Sequence, residues 1–152
     1  MEKDLAALID EIGGIRAELE DAARRIDPGN VIYPGWTIKE VIGHITAWEI
    51  VIDKALKAYL KGDPPYFLHE QDFDLFNQEV VDFRGDWSLE EVFKEWNAVR
   101  DELIKTIRKF KIDDLDVEMV LPWGSERTVT ELIEIAGEHE SEHMEDVKRV
   151  AS

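Results

Sequence analysis

An all-α four-helix bundle is the fold this sequence predicts, and three observations carry the prediction. Apolar residues recur at three-to-four-residue spacing through four long stretches. Three of these stretches open on a capping box, Thr37 to Glu40, Ser88 to Glu91 and Thr128 to Glu131, in which paired side chains satisfy free N–H groups of a first helical turn. At 152 residues the chain can bury a core without cross-links, and it has no cysteine to make one. Residues 1–152 are expected to form one domain.

The first helix is predicted by Leu5, Leu8, Ile12, Ile15, Leu19 and Ile26, and Asp27-Pro28-Gly29-Asn30 ends it. Gly13-Gly14 lies inside it at a cost of about 1 kcal/mol per glycine relative to alanine, which points to a close approach by a neighbouring helix or to a kink. The second helix starts at Thr37, with Trp36 placed to pack on Val41 as a hydrophobic staple. Its stripe runs Ile38, Val41, Ile42, Ile45, Trp48, Ile52, Ala55, Leu56 and Tyr59, and Gly62-Asp63-Pro64-Pro65 stops it.

A long connection follows, from Gly62 to Trp87, holding a short helix from Asp72 to Phe83. It is long enough to carry the chain back along the bundle, so the second and third long helices can run parallel. The third opens at Ser88, with Trp87 and Val92 as its staple, and continues through Trp96, Val99, Leu103, Ile107 and Phe110. Ile112 to Arg127 reads as irregular, with Val117 to Leu121 a short extended piece. The last helix opens at Thr128 and runs to about Val150.

Lys and Arg number 18 against 35 Asp and Glu, a formal charge of −17. So acidic a surface favours solubility and repels phosphates, and on this ground no nucleic-acid partner is expected. No apolar run is long enough to span a membrane. Met1-Glu2-Lys3-Asp4 begins an amphipathic helix and not a signal peptide, so a cytoplasmic location without membrane association is expected.

The chemistry concentrates in the histidines. The last helix carries a stripe of Val129, Leu132, Ala136, His139, His143, Val147 and Val150, so His139 and His143 stack one turn apart on its inner face. His44 lies between Val41 and Trp48 and also faces inward. His44 is seven residues after Thr37 and His143 seven before Val150, each about 10 Å along its axis. If the two helices are antiparallel, the three imidazoles share one level. Three neutral nitrogen donors there make a divalent-metal site with open positions. Nitrogen-only ligation suits zinc, nickel, iron or copper alike, with zinc, nickel or iron the expected occupants.

Other residues are less specific. His69, among prolines and acids, reads as an exposed loop residue. Glu138, Glu140 and Glu142 flank the histidines; a solvated acidic face is the favoured reading, with a supporting hydrogen bond to an imidazole as the alternative. Glu140 is the nearest candidate for a general base. Trp48, Trp96 and Trp123 read as packing residues, Trp48 also being placed to line a pocket near His44. Asn77 reads as a surface residue or, alternatively, as pocket lining.

Two segments resemble a known family. Pro34-Gly35-Trp36-Thr37-Ile38-Lys39-Glu40-Val41-Ile42-Gly43-His44-Ile45-Thr46-Ala47-Trp48-Glu49 is similar to the segment opening helix two of the DinB-like superfamily. Thr128-Val129-Thr130-Glu131-Leu132-Ile133, with His139-Glu140-Ser141-Glu142-His143, resembles its last helix. Phe76-Asn77 and Trp87-Ser88 are most similar to the ClbS/DfsB-like branch. The resemblance implies a four-helix bundle, a three-histidine metal site at His44, His139 and His143, and often a homodimer. The superfamily includes thiol-dependent transferases and isomerases, and the ClbS-like branch a self-resistance hydrolase acting on a reactive cyclopropane-containing natural product. Some ClbS-like members lack the triad; this chain has it.

Two function classes are therefore expected. One is a metal-dependent thiol transferase or hydrolase acting on a small electrophile, with a low-molecular-weight thiol as possible partner. The other is a non-catalytic bundle that sequesters a small molecule, its metal structural or incidental.

Overall fold

The computed structural model describes residues 4–151; Met1–Lys3, expected to lead into the first helix, and Ser152 lie outside the described residues. The elements are α1 (Leu5–Arg25), α2 (Ile38–Lys61), α3 (Phe73–Phe83), α4 (Leu89–Ile107), β1 (Glu118–Val120), β2 (Glu126–Thr128) and α5 (Val129–Ala151).

The expected caps are present. The Glu40 carboxylate accepts the Thr37 N–H at 2.8 Å and the Thr37 hydroxyl at 2.7 Å. Ser88 and Glu91 exchange bonds at 3.0 and 3.1 Å, and Thr128 and Glu131 at 3.1 Å both ways. Trp36 and Trp87 pack on the core cluster that contains Val41 and Val92, as the staples predict.

Contacts fix the helix directions. Along α2 and α4, Glu49 meets Arg100 and Lys57 meets Glu102 at 2.8 Å, so the two run parallel. Along α1 and α5, Arg16 meets Glu140 and Glu18 meets Lys148, again parallel. Ile38–Ile45 share a cluster with Met144 and Val147, whereas Ile52–Leu56 share one with Val129 and Leu132, so α2 and α5 are antiparallel. The bundle is thus up-down-down-up, and the long connection with α3 makes the return between the parallel pair.

The irregular segment holds more order than its sequence advertises. Beside the expected extended piece stands a partner, β2, paired antiparallel with Glu118 opposite Thr128. Two strands of three residues are too short for an alternation pattern to register. A 3₁₀ turn at Ile112–Asp114 precedes them. Helix α4 stops at Ile107, although Phe110 stays buried beyond it.

The bundle core is two large apolar clusters with a layer of buried charge between them, and a third, smaller cluster of Val51, Leu68 and Phe76 lies where the connection and α3 pack on α2. Arg16, Glu49, Arg100 and Glu140, one from each long helix, are all at most 6% exposed. In the stripe predicted for α4, Arg100 takes the buried position beside the half-buried Val99.

The helix-packing role expected of Gly13-Gly14 belongs to Gly137. A Cβ on Gly13 or Gly14 would meet nothing within 4 Å, and α1 is continuous through them. A Cβ on Gly137 would lie 3.2 Å from both Ile12 Cγ2 and Ile15 Cδ1, where α1 and α5 touch. Alanine at Gly13 or Gly14 should therefore raise stability by up to about 1 kcal/mol through helix propensity. Gly137→Ala should gain nothing or lose stability, since packing opposes the same gain. Urea midpoints of the three variants test this; equal gains at all three positions would contradict it.

Candidate functional site

Antiparallel packing of α2 against α5 brings the three predicted histidines together. His44 Nε2 lies 3.0 Å from His139 Nε2 and 3.2 Å from His143 Nε2, and the last pair are 3.1 Å apart. His44 is buried; His139 and His143 are half-buried in the wall of a cleft, not in the dry core. The buried residues of α5 are Val129, Leu132, Ile133, Ala136, Gly137, Glu140, Met144 and Val147, so the predicted stripe holds at Val129, Leu132, Ala136 and Val147. Beside the histidines the innermost positions are Glu140 and Met144, about 100° further round the helix.

This triangle cannot be satisfied by hydrogen bonds among its own members. A neutral imidazole nitrogen carries either a proton or a lone pair. Among three such atoms at least two are alike, and a like pair cannot bond. Three lone pairs directed at one cation remove the conflict. The centre of a triangle with these sides is about 1.8 Å from each corner, close to the usual metal–imidazole distance of about 2.0–2.1 Å. The donor set fits a divalent metal. Among the described residues this is the one cluster of three possible ligands.

Burial keeps the imidazoles neutral. It pushes His44 down to about 3, with His139 and His143 adding to the effect and the nearby Asn77 amide opposing it. It pushes His139 down to about 4, with His143 adding, and lowers His143 against the pull of Asp146, Glu142 and Glu140. Neutral nitrogens are what a metal requires. In an unfolded chain each would take a proton near pH 6.5. Between that pH and the folded values the unfolded chain binds more protons, so the metal-free protein should lose stability as pH falls from about 6.5 to 4. Urea unfolding of metal-free protein at pH 7 and 4.5 should show a loss on the order of a few kcal/mol. That loss should shrink in a His44→Ala/His139→Ala variant; an equal loss there would contradict the assignment.

Around the triad the environment divides. On one side is a cleft of about 380 Å³ walled by Trp48, Phe73 and Trp123, with Glu138 and Glu142 on its α5 edge. Trp48 packs edge-on against Phe73, Phe76 and Trp123 at 5.2, 4.9 and 5.9 Å between ring centres. Asn77 lines the cleft and accepts the Trp48 indole N–H at 2.8 Å, so it is no mere surface residue. Arg84 seats α3 there: it pairs with Glu95 and its Cδ lies 3.1 Å from where a Cβ on Gly43 would be.

On the other side Tyr33, on the loop before α2, holds His143. Its hydroxyl is 2.9 Å from His143 Nδ1 and donates a very short bond to Asp146. Burial and the Asp146 carboxylate raise the Tyr33 hydroxyl well above the phenol range, and the same bond lowers Asp146. Trp36 from this loop lies 5.1 Å from the His44 ring. Sequence periodicity could not find Tyr33, because loop residues carry no face.

The remaining candidates sort plainly. His69 is exposed and bonded to Glu79. Glu140, the candidate base, is 1% exposed and turned away into Arg16, Arg100 and Trp96. Glu138 and Glu142 are exposed, with no cation partner among the described residues. Trp96 packs, as expected, and also donates to Glu140 at 2.9 Å.

The uncharacterised protein YuaE of Bacillus subtilis (strain 168) is 24% identical over 124 residues, covering 76% of each chain. A crystal structure of an uncharacterised protein from Escherichia coli UTI89 superposes with a TM-score of 0.81 at 16% identity, covering 99% of this chain and 94% of that one. The colibactin self-resistance protein ClbS, crystallised in complex with a dsDNA, superposes with a TM-score of 0.81 at 13% identity, covering 99% and 96%.

ClbS overturns one expectation from the sequence. The −17 charge was to exclude nucleic acid, yet a protein of this fold is found on duplex DNA. Formal charge sums the whole surface, whereas phosphate contacts are local and need only a few side chains. No helix among the described residues is long and apolar enough to cross a membrane. The DinB superfamily profile matches residues 16–147, from the first helix through the last. The chain belongs to the DinB superfamily.

Proposed function

We propose that this protein binds one divalent metal ion through His44, His139 and His143 and is a thiol transferase or hydrolase for a small electrophilic molecule held in the adjoining cleft. The convergence of three Nε2 atoms within 3.2 Å carries the reading. A divalent ion there would supply Lewis acidity, lowering the pKa of a thiol or water that reaches it. The chain's own residues do the rest. Trp48, Phe73 and Trp123 offer flat apolar walls for the body of a substrate. Asn77, tied to Trp48, offers one polar group to orient it. Glu138 and Glu142 offset the charge of the ion and favour a neutral or cationic substrate over an anionic one. Zinc, nickel and iron all suit the donors.

Elemental analysis of untagged protein, followed by a panel of thiols and electrophiles, tests the proposal. One metal per chain with turnover lost in His44→Ala supports it; a metal-free protein that gains no affinity for zinc, nickel or iron overturns it.

A second reading has one observation in its favour, the self-resistance role in the name of ClbS. On that reading the cleft sequesters a reactive molecule without turnover, and binding survives His44→Ala. A labelled duplex belongs in the same panel, since one protein of this fold is crystallised with dsDNA. The oligomeric state, with a homodimer expected, is read from the same preparation by light scattering.

A further inference from the structure

The loop before α2 carries a second layer of the site. It is a closed turn: the N–H groups of Ile32 and Tyr33 both donate to the Trp36 carbonyl, and the Trp36 N–H donates to the Tyr33 carbonyl. This fixes the Tyr33 ring edge-on to His143, with centres 5.6 Å apart. The hydroxyl then stands between Asp146 and His143 Nδ1.

Counting protons settles the direction of both bonds. An ionised Asp146 carboxylate can only accept, so the one Tyr33 proton goes to it. The Tyr33 oxygen is left to accept, so the 2.9 Å contact must be filled by His143 Nδ1–H. A neutral imidazole has one N–H. The Nε2 lone pair of His143 is therefore free, and it faces His44 and His139.

We infer that Tyr33 and Asp146 are positioning residues that hold His143 in its Nδ1–H tautomer and so present its Nε2 lone pair to a divalent cation. The inference rests on the metal reading above. Hydrogen bonding to the far nitrogen of a ligating histidine fixes its ring and raises its basicity. Here the relay comes from two places distant in sequence, the loop before α2 and the turn of α5 after His143.

The geometry gives a test that a merely structural role would not pass. In Tyr33→Phe the ring packing is kept and the acceptor is lost; zinc affinity should fall about 10–100-fold. In Asp146→Ala the Tyr33 hydroxyl is free to donate to His143 Nδ1, which drives the proton to Nε2. That variant should bind zinc more weakly than Tyr33→Phe, and adding Tyr33→Phe to it should restore affinity to the level of Tyr33→Phe alone. Competition with a chromophoric chelator measures the zinc affinities. Long-range ¹H–¹⁵N NMR of metal-free protein reads the His143 tautomer: Nδ1–H in the wild type, Nε2–H in Asp146→Ala. Unchanged zinc affinity in Tyr33→Phe, or a wild-type His143 in the Nε2–H form, overturns the inference. Failure of the wild type to bind zinc, nickel or iron overturns the metal reading instead, while the tautomer still decides the part assigned to Tyr33 and Asp146.

Discussion

Replacing His143 with alanine is expected to abolish divalent-metal binding while leaving the bundle folded. Among the described residues three donors converge, so the variant keeps two, His44 and His139. Losing a supporting group of a metal ligand costs about 10–100-fold in affinity, and losing the ligand itself must cost more. The fold should tolerate the change because His143 is half-buried in a cleft wall and not in either apolar cluster. The substitution also relieves a nitrogen triangle that cannot satisfy itself without a cation.

Thermal unfolding shows the effect directly. Metal at about 1,000 times its Kd stabilises a folded protein by about 4 kcal/mol, or on the order of 10 °C for a chain of this size. Zinc or nickel should raise the wild-type Tm by about that much and leave His143→Ala unmoved. His69→Ala should behave as the wild type, since His69 is exposed beside Glu79 and is not one of the three converging donors. A shift in His143→Ala equal to that of the wild type would remove His143 from the site.

How far the sequence reached depended on the kind of signal each residue carries. The helices were legible because caps and stripes are local: Ser88 and Glu91 are three residues apart in the chain and bonded in space. The triad was legible because two of its members share one helix face and the third could be levelled against them by counting from the caps. The face itself was misjudged slightly, since a stripe drawn through His139 and His143 is one position off the line through Glu140 and Met144. Partners met across the bundle left no such trace. Tyr33 lies 110 positions from His143, and nothing in either segment names the other. Gly137 looked ordinary while Gly13-Gly14 drew attention, because pairing of glycines is visible in a sequence and the approach of a neighbouring helix is not.

The buried charges had a signal that hydrophobicity alone passes over. Arg16 follows Ile12 and precedes Leu19, Glu49 lies between Ile45 and Ile52, Arg100 between Trp96 and Leu103, and Glu140 between Ala136 and Met144. Each occupies a core position at helical spacing, with two cations and two anions in all. In the structure Arg16 Nε donates to both Glu140 oxygens at 2.8 and 3.1 Å and Arg16 Nη2 to Glu49 at 2.9 Å. Arg100 bonds Glu49 through Nε, Glu140 at 2.8 Å and the Ile12 carbonyl at 3.1 Å. The Arg16 guanidinium stacks 4.1 Å from the Trp96 ring centre. Burial pushes the Glu49 carboxyl up, and Arg100 and Arg16 pull it back.

Glu140→Ala should therefore be among the most damaging single substitutions in the chain. It leaves two buried guanidinium groups facing one carboxylate and strips the Trp96 indole of its acceptor. Breaking a buried pair in this way costs about 3–5 kcal/mol. That is a large share of the roughly 5–15 kcal/mol by which a domain is stable. Urea unfolding measures it, and a loss below about 1 kcal/mol, typical of a surface pair, would contradict the burial argument. Replacing all four members together is the informative contrast. With Arg16→Met, Glu49→Leu, Arg100→Met and Glu140→Leu no charge is stranded, and stability should match the wild type or exceed it by about 1–4 kcal/mol. The layer's value then lies in register, because it takes one side chain from each long helix at one height and a slip of any helix by a turn would strand a charge. A quadruple variant that is stable but gives broadened, multiple NMR signals supports that role. One that is stable and uniquely ordered would show that the apolar clusters above and below the layer fix the register unaided.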